Sequence, residues 1–222
     1  IEIFRRFFLY PEILAWERFF HRSQHSLVRE IYGAVKAFDP DAVMLRHIDH
    51  QQSSWDAVYR ACMPYEELAE SCDILKMIVY HDILGPRLRE WHLERGLNGA
   101  YADFDPATAL AAFYSVFGHD PSASPSLDEL NTQGFDQNYV YKETRRAVLG
   151  AKGKAMVAPG IGFDVPWGRD NFKSDPERVY RCTKAAFDAG ADGVVLSREY
   201  DEMRIENLKA AGRAVREITS RT

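Results

Sequence analysis

The feature that most constrains the fold is a fourfold alternation of amphipathic helical segments with short apolar segments. Apolar residues at helical spacing run through residues 11–38 and stop at Asp39-Pro40, where a helix is expected to end. The short segments between such helices are predicted to be buried strands, the first of which becomes polar at its end. The predicted strands are residues 42–49, 74–81, 154–158 and 193–197.

Prolines, glycines and capping residues bound the other predicted helices. Residues 55–71 are predicted to be helical, although Pro64 must kink or divide that helix. Ser174-Asp-Pro-Glu177 matches a capping box with proline in the first turn, which predicts a helix that runs to Ala189. The remaining predicted helices are residues 106–117, 139–149 and 202–218.

The connections differ at the two ends of the predicted strands. Only a few residues lead into each strand, whereas longer segments follow, and residues 86–137 form a long insertion after the second strand. This asymmetry predicts one α/β domain over residues 1–222 that is a segment of a (β/α)₈ barrel of the TIM type. Such barrels build their sites on the loops after the strands. A doubly wound parallel sheet is the alternative, because its ligands also bind where the strands end.

Acidic, basic and aromatic residues are concentrated at the carboxyl ends of all four predicted strands. Glycoside hydrolysis needs two carboxyl groups beside the scissile bond, and aromatic rings can stack on the sugar faces. This pattern predicts a carbohydrate site with Asp49, Asp164 and Glu199 as candidate catalytic residues. The candidate substrate-binding residues are His47, His50, Trp55, Tyr80, His81, Arg87, Trp167, Arg198 and Tyr200.

Each carboxylate also has a structural interpretation. Asp164 is suited to accepting backbone hydrogen bonds in a turn, and Glu199 is suited to pairing with Arg198 or other neighbours. Asp201 and Glu202 are placed to cap the last helix. On the helix of residues 139–149, Glu143 is expected to form ion pairs with nearby arginines, Arg145 and Arg146 among them.

Metal-assisted hydrolysis is a second hypothesis. His47, Asp49 and His50 follow the first predicted strand and His81-Asp82 the second, and imidazoles with a carboxylate can hold a divalent ion. Amidohydrolase-type barrels place single histidines after their fifth and sixth strands, where His47 and His81 would fall. The last strand, however, is followed by Glu199 rather than by that family's aspartate, so no metal ligand is assigned.

Two stretches carry a family resemblance. Leu14-Ala-Trp16-Glu17-Arg18-Phe19, followed by Asp39-Pro40 and a strand, resembles the middle of β-galactosidase-like glycoside hydrolases with (β/α)₈ barrels. Residues 189–200 (AGADGVVLSREY) and 207–212 (NLKAAG) are similar to the last strand and helix of barrel glycosidases of that broad kind. The resemblance implies that the four strands are the fifth to eighth, so that the chain is the C-terminal half of the barrel.

The same resemblance implies roles for two carboxylates. Such enzymes carry the acid/base glutamate after the fourth strand, which would precede Ile1, and a nucleophilic glutamate after the seventh, where this sequence has Asp164. Because aspartate is shorter by one methylene, the pattern fits equally a barrel that binds carbohydrate without hydrolysing it, or a non-catalytic assembly protein.

Composition and motifs limit the classes of partner and cofactor that this chain is expected to bind. The formal net charge of −5 is unlike that of a nucleic-acid binder, and no apolar run approaches the roughly 18 residues of a membrane helix. Gly160-Ile-Gly162 lacks the third glycine of a dinucleotide fingerprint, and no phosphate loop is present, so no cofactor is predicted. The three cysteines are too scattered for a disulfide framework, and the localisation, cytoplasmic or exported, stays open.

Association is predicted from the strand count. Four strands do not close a barrel, and the chain opens at Ile1 without Met, so we expect either a homo-oligomer or association with a missing half-barrel. The aromatic residues of the first twenty positions are interpreted most simply as core packing of an outer helix, or else as an oligomer surface.

Overall fold

The computed structural model describes residues 2–165, 173–197 and 202–220. Its strands are parallel and short. Strand β1 (Leu45–Ile48) pairs with β2 (Ile74–Met77), and β2 pairs with β3 (Met156–Val157). Strand β4 (Gly160–Gly162) pairs with β5 (Val195–Ser197).

The two groups of strands are joined by a bridge between Ile78 and Gly160, where the amide of Val79 donates to the carbonyl of Gly160 at 3.0 Å. The third predicted strand, residues 154–158, contains β3, whereas β4 follows it after a break at Ala158 and Pro159 and was not predicted. The expected parallel neighbours in chain order are confirmed. The barrel itself stays a prediction.

The long helices begin and end where capping and proline chemistry predicts. Helix α1 spans Glu2–Leu9 and helix α2 spans Glu12–Phe38, the latter ending at the extended Asp39. Asp49 caps the short helix α3 (His50–Ser54) by accepting a hydrogen bond from the amide of Gln51. Pro64 divides the next helical region into α4 (Ala57–Cys62) and α5 (Tyr65–Ala69), as predicted.

The insertion after β2 is helical over about half of its length. It contains α6 (Leu84–Arg87), a π-helical segment (Leu88–Glu94), α7 (Arg95–Leu97) and α8 (Pro106–Phe117). Asp105 caps α8, and Gly118 ends it with a positive φ of 65°, which confirms the predicted helix of residues 106–117. The insertion is part of the main core, since its buried side chains include Leu88, Leu93, Leu110 and Phe113.

Three further helices complete the fold: α9 (Gln137–Ala151), α10 (Pro176–Asp188) and α11 (Ile205–Thr219). Helix α10 begins with proline, as predicted, but its capping residue is Asp175, whose carboxylate accepts from the amide of Arg178. The capping role predicted for Ser174 is wrong, because its hydroxyl is used in a buried network with Asp82 and Asp164.

The two faces of the sheet differ. Leu75, Met77 and Val157 face the helices and belong to the main core, whereas Leu45 and Met156 lie exposed on the opposite face. Near the carboxyl ends of the strands, that opposite face carries a second, smaller core of Ile78, Tyr80, Ile83 and Val165. The strand ends are thus packed on both faces, while the amino-terminal part of the sheet is covered on one.

The aromatic side chains of α1 and α2 are mostly exposed. Phe8 is 85% exposed and Trp16 is 61% exposed, and the buried side chains of α2 are His21 and His25. The core packing expected for the aromatic residues of this segment is therefore wrong, because most of their side chains remain exposed in the described structure. Separately, none of the helices in those residues has both the length and the apolar character needed to cross a membrane.

Candidate functional site

His50 and Arg87 form the centre of a cluster at the carboxyl ends of β1 and β2. Because Asp49 caps α3, the imidazole of His50 turns inward directly after β1 and is fully buried. Its Nδ1 lies 3.1 Å from Nη1 of Arg87, and its Nε2 lies 3.4 Å from the hydroxyl of Tyr139. The Tyr139 hydroxyl lies 2.7 Å from Oγ of Ser54.

The protonation state of His50 follows from its surroundings. Burial, and secondarily the charge of Arg87, hold the pKa of His50 well below its usual value, so the ring is neutral at neutral pH. Since a guanidinium only donates, Nδ1 must be the acceptor, and the ring proton resides on Nε2, where it can be donated to Tyr139. His50 thus holds Arg87 in a fixed orientation.

Aromatic rings surround the Arg87 guanidinium, which is partly exposed. Its central carbon lies 5.1 Å from the ring centroid of Trp91 and 5.9 Å from that of Tyr80. Trp55 packs against both His50 and Trp91, with ring centroids 5.2 Å and 6.1 Å away. The structure therefore brings together four predicted binding residues: His50, Trp55, Tyr80 and Arg87.

Not every member of this cluster offers an open surface. Trp55 is buried, so both its faces are occupied by packing rather than available to a sugar, whereas Trp91 is partly exposed. Trp91 and Tyr139 were not predicted as site residues from the sequence. Trp91 follows Arg87 by one helical turn inside the insertion, and that spacing was the available signal.

The side chain of Tyr80 lies across β4, where Gly160 and Gly162 leave room for its ring. Its hydroxyl donates to Oγ of Ser197 at 2.6 Å, which ties the end of the second strand to β5 across β4. A Cβ atom on Gly162 would lie 2.6 Å from the Tyr80 ring, and one on Gly160 would lie 3.4 Å from it. The glycines of β4 thus make room for an aromatic side chain.

The turn after β4 is made by Asp164 itself, whose φ is 58°. Asp164 is 2% exposed, and its carboxylate accepts hydrogen bonds from the amides of Ser174 and Arg204 at 3.1 Å each and from Nδ2 of Asn207 at 2.8 Å. The Arg204 guanidinium completes the shell with a 3.0 Å ion pair. Although burial opposes ionisation, these donors lower the pKa of Asp164 below its usual value. This bonding favours the structural interpretation, and the catalytic role stays a prediction.

Asp82, which the sequence suggested only as a carboxylate of the metal-site hypothesis, belongs to the same network. Its carboxylate accepts from the Ser174 hydroxyl at 2.8 Å and from the amide of Ile83 at 2.9 Å. Burial raises the pKa of Asp82 to about 6. Asp82 and Asp164 therefore hold Ser174 between them, which fixes the end of β2 against the start of α10.

His81 lies in the interior. Neither of its ring nitrogens has a hydrogen-bond partner within the described parts of the chain, and burial lowers the pKa of His81 to about 3. Its carbonyl accepts from the amide of Phe135 at 2.6 Å. The side chain of His81 is fully buried, which argues against its predicted substrate-binding role.

The other predicted residues are spread out. His47 and Asp49 are exposed on β1 and immediately after it, and Asp49 is engaged as the cap of α3. Trp167, Arg198, Glu199 and Tyr200 lie outside the described residues. Glu143 forms the predicted ion pair with Arg146, at 2.8 Å, and a second one with Arg60 at 3.0 Å.

Within residues 2–165, 173–197 and 202–220, no three side chains of histidine, cysteine, aspartate or glutamate are grouped so that they could hold a metal ion. In comparisons with known proteins, neither a protein-family model nor a curated protein matches the sequence.

Proposed function

We propose that this chain is a glycoside hydrolase-like barrel segment that binds a carbohydrate at the carboxyl ends of its strands, with Arg87 at the centre of the site. The observation that carries the proposal is the fixed position of Arg87 between a neutral His50 and the rings of Tyr80 and Trp91. A planar guanidinium can donate two parallel hydrogen bonds to neighbouring oxygens, and aromatic rings cover the apolar faces of a pyranose.

Hydrolysis needs a pair of carboxyl groups, and the described carboxylates at this rim are engaged. Asp164 is saturated with donors, and Asp49 caps a helix. Of the three predicted catalytic carboxylates, hydrolysis would therefore depend most on Glu199. The engagement of Asp49 and Asp164 favours, as a second candidate, a protein that binds carbohydrate without cleaving it.

The metal-dependent alternative has a specific observation against it. The Nδ1 lone pair of His50 is directed at Arg87, and a guanidinium beside that nitrogen repels a divalent cation. His81, the other predicted histidine after a strand, is enclosed in the interior.

Association remains part of the proposal. The exposed Leu45 and Met156 on the open face of the sheet, and the exposed rings of α1 and α2, support coverage by further strands and helices. A second copy or another half-barrel would supply them. Light scattering of the purified chain tests this, since a stable monomer would contradict self-association.

The binding proposal is tested by titrating the chain with a panel of pyranosides and aryl glycosides, using calorimetry for affinity and product release for turnover. Arg87→Lys keeps the charge but removes the planar fork, so affinity is expected to fall by roughly 10-fold or more. Arg89→Lys, the same substitution two residues along, is the matched control and should bind as the unaltered chain does. Equal affinity of both variants, or binding of none of the sugars, would overturn the proposal.

A further inference from the structure

A groove of about 360 Å³ lies between helix α2 and strand β1, outside the Arg87 cluster. Its apolar lining residues are Leu27, Val28, Met44, Leu45, Ile48 and Met63. The polar side chains that line it are His21, Gln24, Arg46, His47, Gln52 and Tyr59. The groove is large enough for a small molecule and offers it both apolar and polar groups.

Arg46 is a buried cation in this groove without an acidic partner. It is 8% exposed, and its Nη1 lies 2.8 Å from Nδ1 of His25 and donates to Oγ of Ser71 at 2.6 Å. Burial, and secondarily Arg46, lower the pKa of His25, so the imidazole is a neutral acceptor. No carboxylate lies within ion-pairing distance of Arg46 in the described residues. An uncompensated buried charge is costly, which makes an anion its natural partner.

His21 provides a second, independent observation. It is 5% exposed and lines the groove, yet neither ring nitrogen has a hydrogen-bond partner among the described residues. The Glu17 carboxylate lies 3.5 Å from its Nε2 at the surface, outside hydrogen-bonding geometry. Buried imidazole nitrogens are ordinarily hydrogen-bonded. The groove therefore contains an imidazole without a hydrogen bond next to a buried guanidinium that no carboxylate of the described residues neutralises.

We propose that the groove between α2 and β1 binds a small molecule through an anionic group, a carboxylate or a phosphate, held by Arg46 with His21 beside it. The apolar lining residues, Leu27, Val28 and Met63 among them, receive the non-polar part of that ligand. His47, predicted from the sequence as a substrate-binding residue, lines this groove and not the Arg87 cluster. The site is separate from the carbohydrate site and does not depend on it.

The probes are inorganic phosphate and acetate, titrated at constant ionic strength against chloride by calorimetry and by thermal unfolding. The expected result is saturable binding of at least one anion, and the tighter of the two identifies the class. Arg46→Met keeps the side-chain length and removes the charge, and it should weaken binding roughly 10- to 100-fold. Arg29→Gln removes one exposed arginine from helix α2, which borders the groove, and should leave the affinity unchanged.

His21→Phe keeps a ring of similar volume and serves if Arg46→Met does not fold. It should weaken anion binding several-fold, and the His21 ring protons of the unaltered chain should shift during the titration. Non-saturable responses to both anions, or equal loss in Arg29→Gln, would overturn the inference. Arg46→Met should retain carbohydrate binding, so failure here is distinguishable from failure of the proposed function.

Discussion

The carboxylate of Asp164 and the guanidinium of Arg204 form an ion pair of 3.0 Å at the end of β4, and the backbone amide of Arg204 donates to the same carboxylate. One aspartate therefore fixes both the turn after β4 and the start of α11. Asn tolerates the positive φ of this position, so Asp164→Asn removes the charge without straining the backbone.

We expect Asp164→Asn to lower the free energy of unfolding by about 1–3 kcal/mol, because a buried charge-assisted contact is lost. Urea unfolding measures this, and carbohydrate affinity per folded molecule should be unchanged. If stability is unaltered while turnover of a glycoside disappears, Asp164 is a catalytic residue and not a turn residue.

His81 predicts an acid-sensitive core. Burial lowers the pKa of His81 to about 3. Below about pH 6.5 the imidazole is therefore protonated in the unfolded chain but still neutral in the folded one. Its contribution to stability is fully present above pH 6.5 and is lost as the pH falls towards 3. In His81→Met, the free energy of unfolding should fall less steeply between pH 6.5 and pH 3, by about 1.4 kcal/mol per pH unit. Parallel stability curves for the two proteins would contradict this.

Asp82 predicts the opposite dependence. Its folded pKa of about 6 exceeds the unfolded value of about 3.9, so stability is favoured below pH 4 and is lost as the pH rises to 6. A shift of about two units corresponds to about 3 kcal/mol. The stability of Asp82→Asn relative to the unaltered chain should therefore increase by that amount between pH 4 and pH 6. Urea unfolding of both proteins at pH 4 and at pH 6 measures this change. The same difference in stability between the two proteins at both pH values would contradict the raised pKa.

Gly162 is expected to be intolerant of a side chain. The Cβ of Gly162→Ala would lie 2.6 Å from the Tyr80 ring, so Tyr80 must move and its hydrogen bond to Ser197 must lengthen. We predict a loss of about 1–3 kcal/mol of stability together with weaker sugar binding. Gly193→Ala, with no atom within 4 Å of the new Cβ, is the control and should alter neither property. Equal behaviour of the two variants would contradict the role given to Gly162.

The sequence predicted those features that depend on local chemistry. Pro64 divides a helix and Asp39-Pro40 ends one. Strands β1, β2, β3 and β5 lie within the short apolar segments, whereas β4 lies outside them. The cap of α10 was misplaced by one residue, since Ser174 and Asp175 are both good caps. Only the partners of Ser174, which lie 10 and 92 positions away, decide between them.

Features set by distant contacts were not predictable in this way. The pattern in α2 indicates an apolar face but not what covers it, and that face is exposed. In the sequence, Gly160 and Gly162 were noted as part of an incomplete dinucleotide fingerprint. Neither has a positive φ, and both make space for the ring of Tyr80. The positions of His50, Tyr80 and Arg87 after predicted strands identified them as candidates. Trp91 lies beside them because of how the insertion folds, which the sequence pattern does not indicate.

The most direct test of the proposed carbohydrate site is a titration of the ¹⁵N-labelled chain with the tightest-binding pyranoside, monitored through the tryptophan indole N–H resonances. Trp91 lies beside Arg87, whereas Trp16 is exposed on α2, far along the chain, and serves as an internal control. Trp91→Phe and Trp16→Phe assign the two signals. We predict a saturable shift of the Trp91 resonance, with that of Trp16 unchanged. A shift of Trp16 without one of Trp91 would contradict it.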